Sequence, residues 1–180
     1  MNPVVDKKLI EEHIASLPIY QYEFFSASEL VFEPKVRQIC RSECPMYGRS
    51  WSCPPAVGTF DQCRERCLSY GKAMLLVTAA EVDDASDMAS TLPTRRQHEA
   101  ITRQVRGVFT QLGCETFVLS SEACAACERC SWPDAQCRHP ERMFPCIESH
   151  CILVTQLAER FGIEFLPDPG TVMWFSIILF

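Results

Sequence analysis

Cys124, Cys127 and Cys130 stand three residues apart, and Cys137 follows them in the run C-A-A-C-E-R-C-S-W-P-D-A-Q-C. A C-x-x-C turn aims two thiolates at one centre. The shared middle cysteine adds a third, and Cys137 is placed to close the site as a fourth. Four sulfurs from one short loop suit a metal centre. They suit disulfides poorly, because near neighbours compete for one partner and short loops strain the bond. The overlapping C-x-x-C-x-x-C triplet is the arrangement that bacterial ferredoxins use for corners of a cubane, which points to a [4Fe–4S] cluster. Structural zinc more often takes its sulfurs as two separated pairs, and Cys137 stands alone. Zinc is the alternative; a disulfide or an unoccupied redox-thiol loop is the lesser reading.

Basic residues follow the triplet. Arg129, Arg138 and Arg142 lie close in sequence to the four thiolates. A thiolate-ligated cluster is anionic, so a nearby guanidinium would stabilise it and raise its reduction potential. Arg138 is the candidate for that contact; the competing reading is a solvated loop surface. His139 precedes a proline and reads as a surface or hydrogen-bonding residue ahead of a ligand.

A second set lies upstream in C-R-S-E-C-P-M-Y-G-R-S-W-S-C-P-P, residues 40–55. Cys40, Cys44 and Cys53 supply three thiolates, one short of a closed site. Cys44 and Cys53 are each followed by proline, as ligand cysteines in ferredoxin loops are. Tyr47 and Trp51 are candidates to cover a cluster from solvent; plain core aromatics are the other reading. The fourth ligand is open among Cys63, Cys67, Cys146, Cys151 or none. Cys63 and Cys67 share a helix face with Phe60 and Tyr70, which reads as buried packing for Cys67 and leaves Cys63 undecided. Cys114 reads as packing. A site with three protein ligands would leave one iron open to a small molecule and move the chain towards an enzyme or activator.

The elements that must position these loops follow from pattern and punctuation. A helix over about 5–16 and a strand over 20–25 are expected near the start. Thr59 caps a helix running to about Tyr70 and stopped by Gly71. Ala73 to Ala79 is a continuous apolar run, as in a strand buried on both faces. Thr94 with Gln97 forms a capping-box pattern. The helix it opens carries Ile101, Val105, Val108 and Leu112 on one stripe and ends at Gly113. Thr116 to Leu119 is a second buried strand. Strand, helix and strand in this order suggest a right-handed parallel crossover, with the second cysteine loop at a strand's carboxyl end, where open α/β sheets carry ligands. Residues 152–161 read as a helix with Val154, Leu157, Ala158 and Phe161 inward. Residues 163–166 and 172–180 flank D-P-G, with Pro169 and Gly170 in type II turn positions, and read as a hairpin closing the sheet. The fold class is α/β: one domain over residues 1–180, with a small mixed sheet, flanking helices and two cysteine-rich metal-binding loops.

The two cysteine segments resemble those of the predicted metal-binding proteins of the domain-of-unknown-function family 2284, over most of the chain from about Glu29. The matching positions are Cys40, Cys44, Tyr47, Gly48, Trp51, Cys53, Pro54 and Pro55, then Cys124, Cys127, Cys130, Cys137, Arg138, Pro140, Glu141, Pro145 and Glu148. The chain departs from the family pattern at Cys146, where a serine is usual, and at Cys151, near an expected glycine. The resemblance implies metal binding and no particular reaction.

Composition narrows the function classes. The chain has 180 residues, enough for one real core. Its net charge of -6 argues against a nucleic-acid partner, which usually meets a basic face. Twelve cysteines fit either a secreted disulfide scaffold or an intracellular metal protein. The opening M-N-P-V-V-D-K-K-L-I-E-E-H has no apolar signal core, and no apolar run approaches the ~18 residues of a membrane span. The expectation is therefore a reducing cytoplasm, where a cysteine cluster reads as ligands. No Ser/His/Asp set, phosphate-binding glycine loop or nucleotide fingerprint is present. The readings are an iron–sulfur redox protein that exchanges electrons with a partner protein, an iron–sulfur enzyme or activator with an open iron, a zinc-stabilised binding module, and a metal-delivery protein. The sequence assigns no oligomeric state.

Overall fold

The computed structural model describes residues 6–180. A four-stranded sheet forms its centre, from β1 (Gln21–Ser26), β2 (Lys72–Glu81), β3 (Phe117–Ser120) and β4 (Thr171–Leu179) in the order β1-β2-β4-β3. Every neighbouring pair is antiparallel. β2 and β3 run in the same direction, as the crossover reading expects, but β4 lies between them and pairs with both.

Both faces of the sheet are covered. Side chains alternate along a strand, so Ala73, Leu75 and Val77 of β2 face one core and Met74 and Leu76 the other. The first face packs with Met173, Phe175 and Ile177 of β4, with Cys67 of α3 (Phe60–Leu68), and with Val154 and Leu157 of α5 (Val154–Arg160). The second face meets Ile10 and Ile14 of α1 (Lys7–Ile14) and Ile101, Val105 and Phe109 of α4 (Met88–Gln111). These residues explain why β2 reads as a continuous apolar run. A short α2 (Lys35–Ser42) lies against the turn at 148–150, where Arg37 donates to the Ser149 carbonyl at 2.7 Å, and carries the first cysteine.

Caps set several boundaries. Thr59 Oγ1 accepts from the Gln62 N–H at 3.3 Å and Gln62 Oε1 accepts from the Thr59 N–H at 2.9 Å, a reciprocal box that starts α3 where the sequence expects it. α4 starts earlier than expected. Asp87 caps it by accepting from the Ala89 and Ser90 N–H groups, and Pro93 sits inside it. Thr94 is therefore interior. Its hydroxyl donates to the Thr91 carbonyl at 2.7 Å and accepts from the Trp174 indole N–H at 2.8 Å.

The expected hairpin does not form. Residues 163–166 are not a strand, because both edges of β4 are already taken by β2 and β3. Phe165 instead stacks on Phe175 at 5.4 Å. The D-P-G turn does form, with the Thr171 N–H donating to the Asp168 carbonyl at 3.3 Å. Gly170 lacks the positive φ that a type II turn needs. Asp168 Oδ1 instead accepts from the Gly170 N–H at 2.7 Å. No helix among the described residues is long and apolar enough to cross a membrane.

Candidate metal centres

α2 begins the first centre. Val36, Ile39 and Cys40 lie at helical spacing on one face and line a single cavity. The helix ends at Ser42, and Cys44 follows in the turn beyond it. Gly48, at φ 70°, then lets the chain double back, its N–H donating to the Pro54 carbonyl at 2.8 Å. That return brings Cys53 to the same cavity. The cavity is about 280 Å³, and its lining includes Cys40, Cys44, Cys53 and Cys146 together with Tyr47, Pro54 and the carboxylates Glu122 and Glu148. The three cysteines expected to act together are thus brought together, with a fourth thiol beside them. Tyr47 lines this cavity.

The second centre hangs from the end of β3. Ser121 anchors the exit: its hydroxyl donates to the Phe175 carbonyl at 2.9 Å and accepts from the Phe175 N–H at 3.0 Å. Cys124, Cys127, Cys130 and Cys137 then line one small cavity of about 20 Å³ with Trp51 and Arg138. All four expected cysteines line that cavity. Trp51 lines this cavity, although the sequence groups it with the first centre. Its indole N–H donates to the Ala135 carbonyl at 3.1 Å, and its ring meets Trp132 edge-on at 4.6 Å. Arg138 holds the loop as well as lining it, through a 3.1 Å hydrogen bond to the Arg129 carbonyl. Arg129 and Cys130 also border an open cleft of about 440 Å³. His139 lies beside Glu141 at 3.8 Å, and neither cavity is lined by a histidine.

The two cavities share a wall. Ala123 lines the first and the next residue, Cys124, the second; Cys53 lines the first and Trp51 the second. Ser52 ties this wall together. Its Oγ accepts from the Cys124 N–H at 2.8 Å and pairs with the Ser50 hydroxyl at 2.9 Å. Its carbonyl accepts from the Cys146 N–H at 2.9 Å.

Burial raises thiols in both sulfur sets, and hydrogen bonding lowers one in the second. Burial pushes the Cys40 thiol up to about 11, with Cys44 adding to the effect. Burial pushes Cys53 up to about 12, opposed by the Ser52 hydroxyl and reinforced by Cys44 and Cys40. Cys146 is held well above the ordinary thiol range, first by burial and then by Glu148. These thiols resist ionisation without a cation, and a coordinated metal supplies one. In the second set burial likewise raises Cys124. Cys130 ends below its ordinary value: burial raises it, but N–H groups of Trp132, Trp51 and Ser131 and the Ser50 hydroxyl outweigh that. The Trp51 N–H to Cys130 Sγ and Ala126 N–H to Cys124 Sγ contacts, each 3.4 Å, are the kind of sulfur hydrogen bond that tunes a cluster's potential.

The donor chemistry suits a thiophilic metal: both cavities offer sulfur. Among the described residues, no three His, Cys, Asp or Glu side chains are arranged around a single-ion position. All twelve cysteines are free thiols. Cys63 and Cys67 are fully buried in α3 and line neither cavity, and Cys114 packs in the core between α4 and the sheet.

Residues 23–180 match the family described as predicted metal-binding protein (DUF2284). The chain belongs to this family. Metal binding by a DUF2284 protein needs a donor set, and the two cysteine-lined cavities supply candidates for it, both inside the matched region. Neither the curated proteins nor the solved structures contain a match to the chain.

Proposed function

We propose that this protein is an iron–sulfur redox protein that passes electrons to or from a partner protein in a reducing cytoplasm. Cys124, Cys127, Cys130 and Cys137 hold one [4Fe–4S] cluster, and Cys40, Cys44 and Cys53 supply thiolates to another. The observation that carries this reading is the pair of sulfur-lined cavities with a common wall. A bound cluster supplies one-electron chemistry. The protein's own residues do the rest. Ala123 lines the first cavity and Cys124 the second, so one stretch of backbone separates the two centres. Trp51 and Tyr47 limit water access. Arg138 places a cation beside the anionic second centre. N–H groups directed at Cys124 and Cys130 favour the more reduced, more negative state.

One observation favours a second reading. The second cavity is near the size of a single water, so a cubane there requires its partly exposed loop to move outward. A zinc ion in this loop, serving a non-catalytic binding module, is the alternative; its sulfurs would have to draw in around it, since among the described residues no three donors surround a single-ion position.

Anaerobic purification followed by iron, sulfide and zinc analysis decides between them. About four irons and four sulfides per centre, with broad visible absorbance, is the expected result. Stoichiometric zinc without iron refutes the iron–sulfur reading.

A further inference from the structure

We infer that Cys146 is the fourth thiolate of the first centre and closes it as a four-cysteine site. This assignment rests on the metal-centre reading above and adds a ligand to it. Cys146 lines the same cavity as Cys40, Cys44 and Cys53. It packs directly with Cys53 and Ala123, with Met46 against them.

The backbone delivers it there. After the second loop, the chain returns alongside the end of β3: the Ser120 N–H donates to the Pro145 carbonyl at 3.0 Å, and the Ile147 N–H donates to the Ser120 carbonyl at 3.0 Å. The Cys146 N–H then donates to the Ser52 carbonyl at 2.9 Å, one residue before Cys53. Cys146 is therefore pinned between the strand that launches the second loop and the strap that carries a first-centre cysteine.

The other three candidates are directed elsewhere. Cys63 Sγ faces the Arg37 guanidinium at 3.5 Å and the Val57 carbonyl at 3.5 Å. Cys67 lies in the core beneath the sheet. Cys151 is fully buried beside Arg37 and does not line the cavity.

The Cys146 thiol donates to Glu148 Oε2 at 2.9 Å, and the Ser149 N–H is directed at its sulfur. Ligation replaces its S–H bond with a sulfur–metal bond and releases one proton. With four thiolates the centre is coordinatively closed. It then acts as an electron carrier, without an open iron for substrate.

The test compares wild type, Cys146→Ser, Cys146→Ala and Cys151→Ser, each reconstituted anaerobically with ferrous iron and sulfide. Metal and sulfide are counted per chain, Mössbauer spectra are recorded, and circular dichroism checks folding. Wild type should hold two clusters. Cys146→Ala should lose about half of the iron, and folded Cys146→Ser should lose it or show altered iron parameters at one centre. Cys151→Ser should match wild type. If both folded Cys146 variants keep the wild-type count and spectrum, the assignment is wrong. If only Cys146→Ala misfolds, Cys146→Ser decides, since it preserves size and a hydrogen-bond donor to Glu148. A wild type holding zinc and no iron refutes the iron–sulfur reading instead. The Cys146 assignment is then judged by the zinc count: one zinc lost supports it, and none lost overturns it.

Discussion

Ser52→Ala tests whether the shared wall holds the two centres together. Ser52 is fully buried, and its Oγ accepts the Cys124 N–H at 2.8 Å and pairs with Ser50 at 2.9 Å. Alanine removes the acceptor and leaves a peptide N–H without a partner beside Cys53. An unsatisfied buried donor costs about 1–3 kcal/mol. The Ser50 hydroxyl recovers part of its loss, because it also accepts from the Ser52 N–H at 3.2 Å, which the substitution leaves in place. A net of about 2 kcal/mol is expected, a factor of roughly 30 in the opening equilibrium. Chemical denaturation of the metal-free protein reads the global term, and amide hydrogen exchange at Cys124 reads the local one. Ser28→Ala, at an exposed position, should stay within about 0.5 kcal/mol. An unchanged denaturation midpoint together with unchanged Cys124 protection in Ser52→Ala would show that this hydroxyl does not couple the two loops.

Cys127→Ser should lose the metal of the second centre. Cys67→Ser should keep the full metal count while losing about 1–3 kcal/mol of stability, because it puts a hydroxyl into the core. Loss of metal in folded Cys67→Ser would place a ligand in the wrong element. Arg138→Ala removes an exposed cation beside the second centre. Its reduction potential should fall on the order of 10 mV at low salt, less at high salt, by protein-film voltammetry; a rise would contradict the charge argument. His98 is buried between the Thr78 hydroxyl (2.9 Å) and the Ser176 hydroxyl (2.7 Å), and burial holds it down at about 3. Its folded value lies below the unfolded value of about 6.5, so its contribution is complete above pH 6.5 and is lost as pH falls from there towards 3. The loss reaches about 1 kcal/mol by pH 5.5. Imidazole resonances of the metal-free protein should show His98 neutral at pH 5, and a midpoint near 6.5 would refute the burial argument.

Charge in the interior is otherwise concentrated on α4. Arg95 and Glu99 pair at 2.7 Å with almost no exposure, and Arg103 joins from the rim at 3.6 Å. The same two buried residues act on Cys124 in opposite senses, Glu99 raising and Arg95 lowering its thiol. Because α4 begins at Asp87 rather than at Thr94, Arg95 lies about two turns inside it, where it pairs with Glu99 four residues on.

The amino-acid order was sufficient for what depends on near neighbours. The C-x-x-C-x-x-C triplet with Cys137 reads as one site because turn geometry acts over a few residues, and in the structure those four cysteines line one cavity. The Thr59–Gln62 box, the apolar run of β2 and the strand that precedes the second loop are legible for the same reason. Long-range pairing decided the rest. β4 lies at the centre of the sheet because its apolar residues on both faces need cover from both sides, and this left residues 163–166 without an edge to join. Asp87 rather than Thr94 caps α4: it accepts two N–H groups, while the Thr94 hydroxyl is engaged by the Thr91 carbonyl and by the Trp174 indole, a partner distant in sequence. Trp51 moved to the second centre because the strap from Ser50 to Cys53 runs between the two cavities. Cys146 could not be chosen from four distant cysteines by spacing. Its place beside Cys40, Cys44 and Cys53 comes from backbone hydrogen bonds to Ser120 and Ser52, and only the folded chain brings those partners within reach.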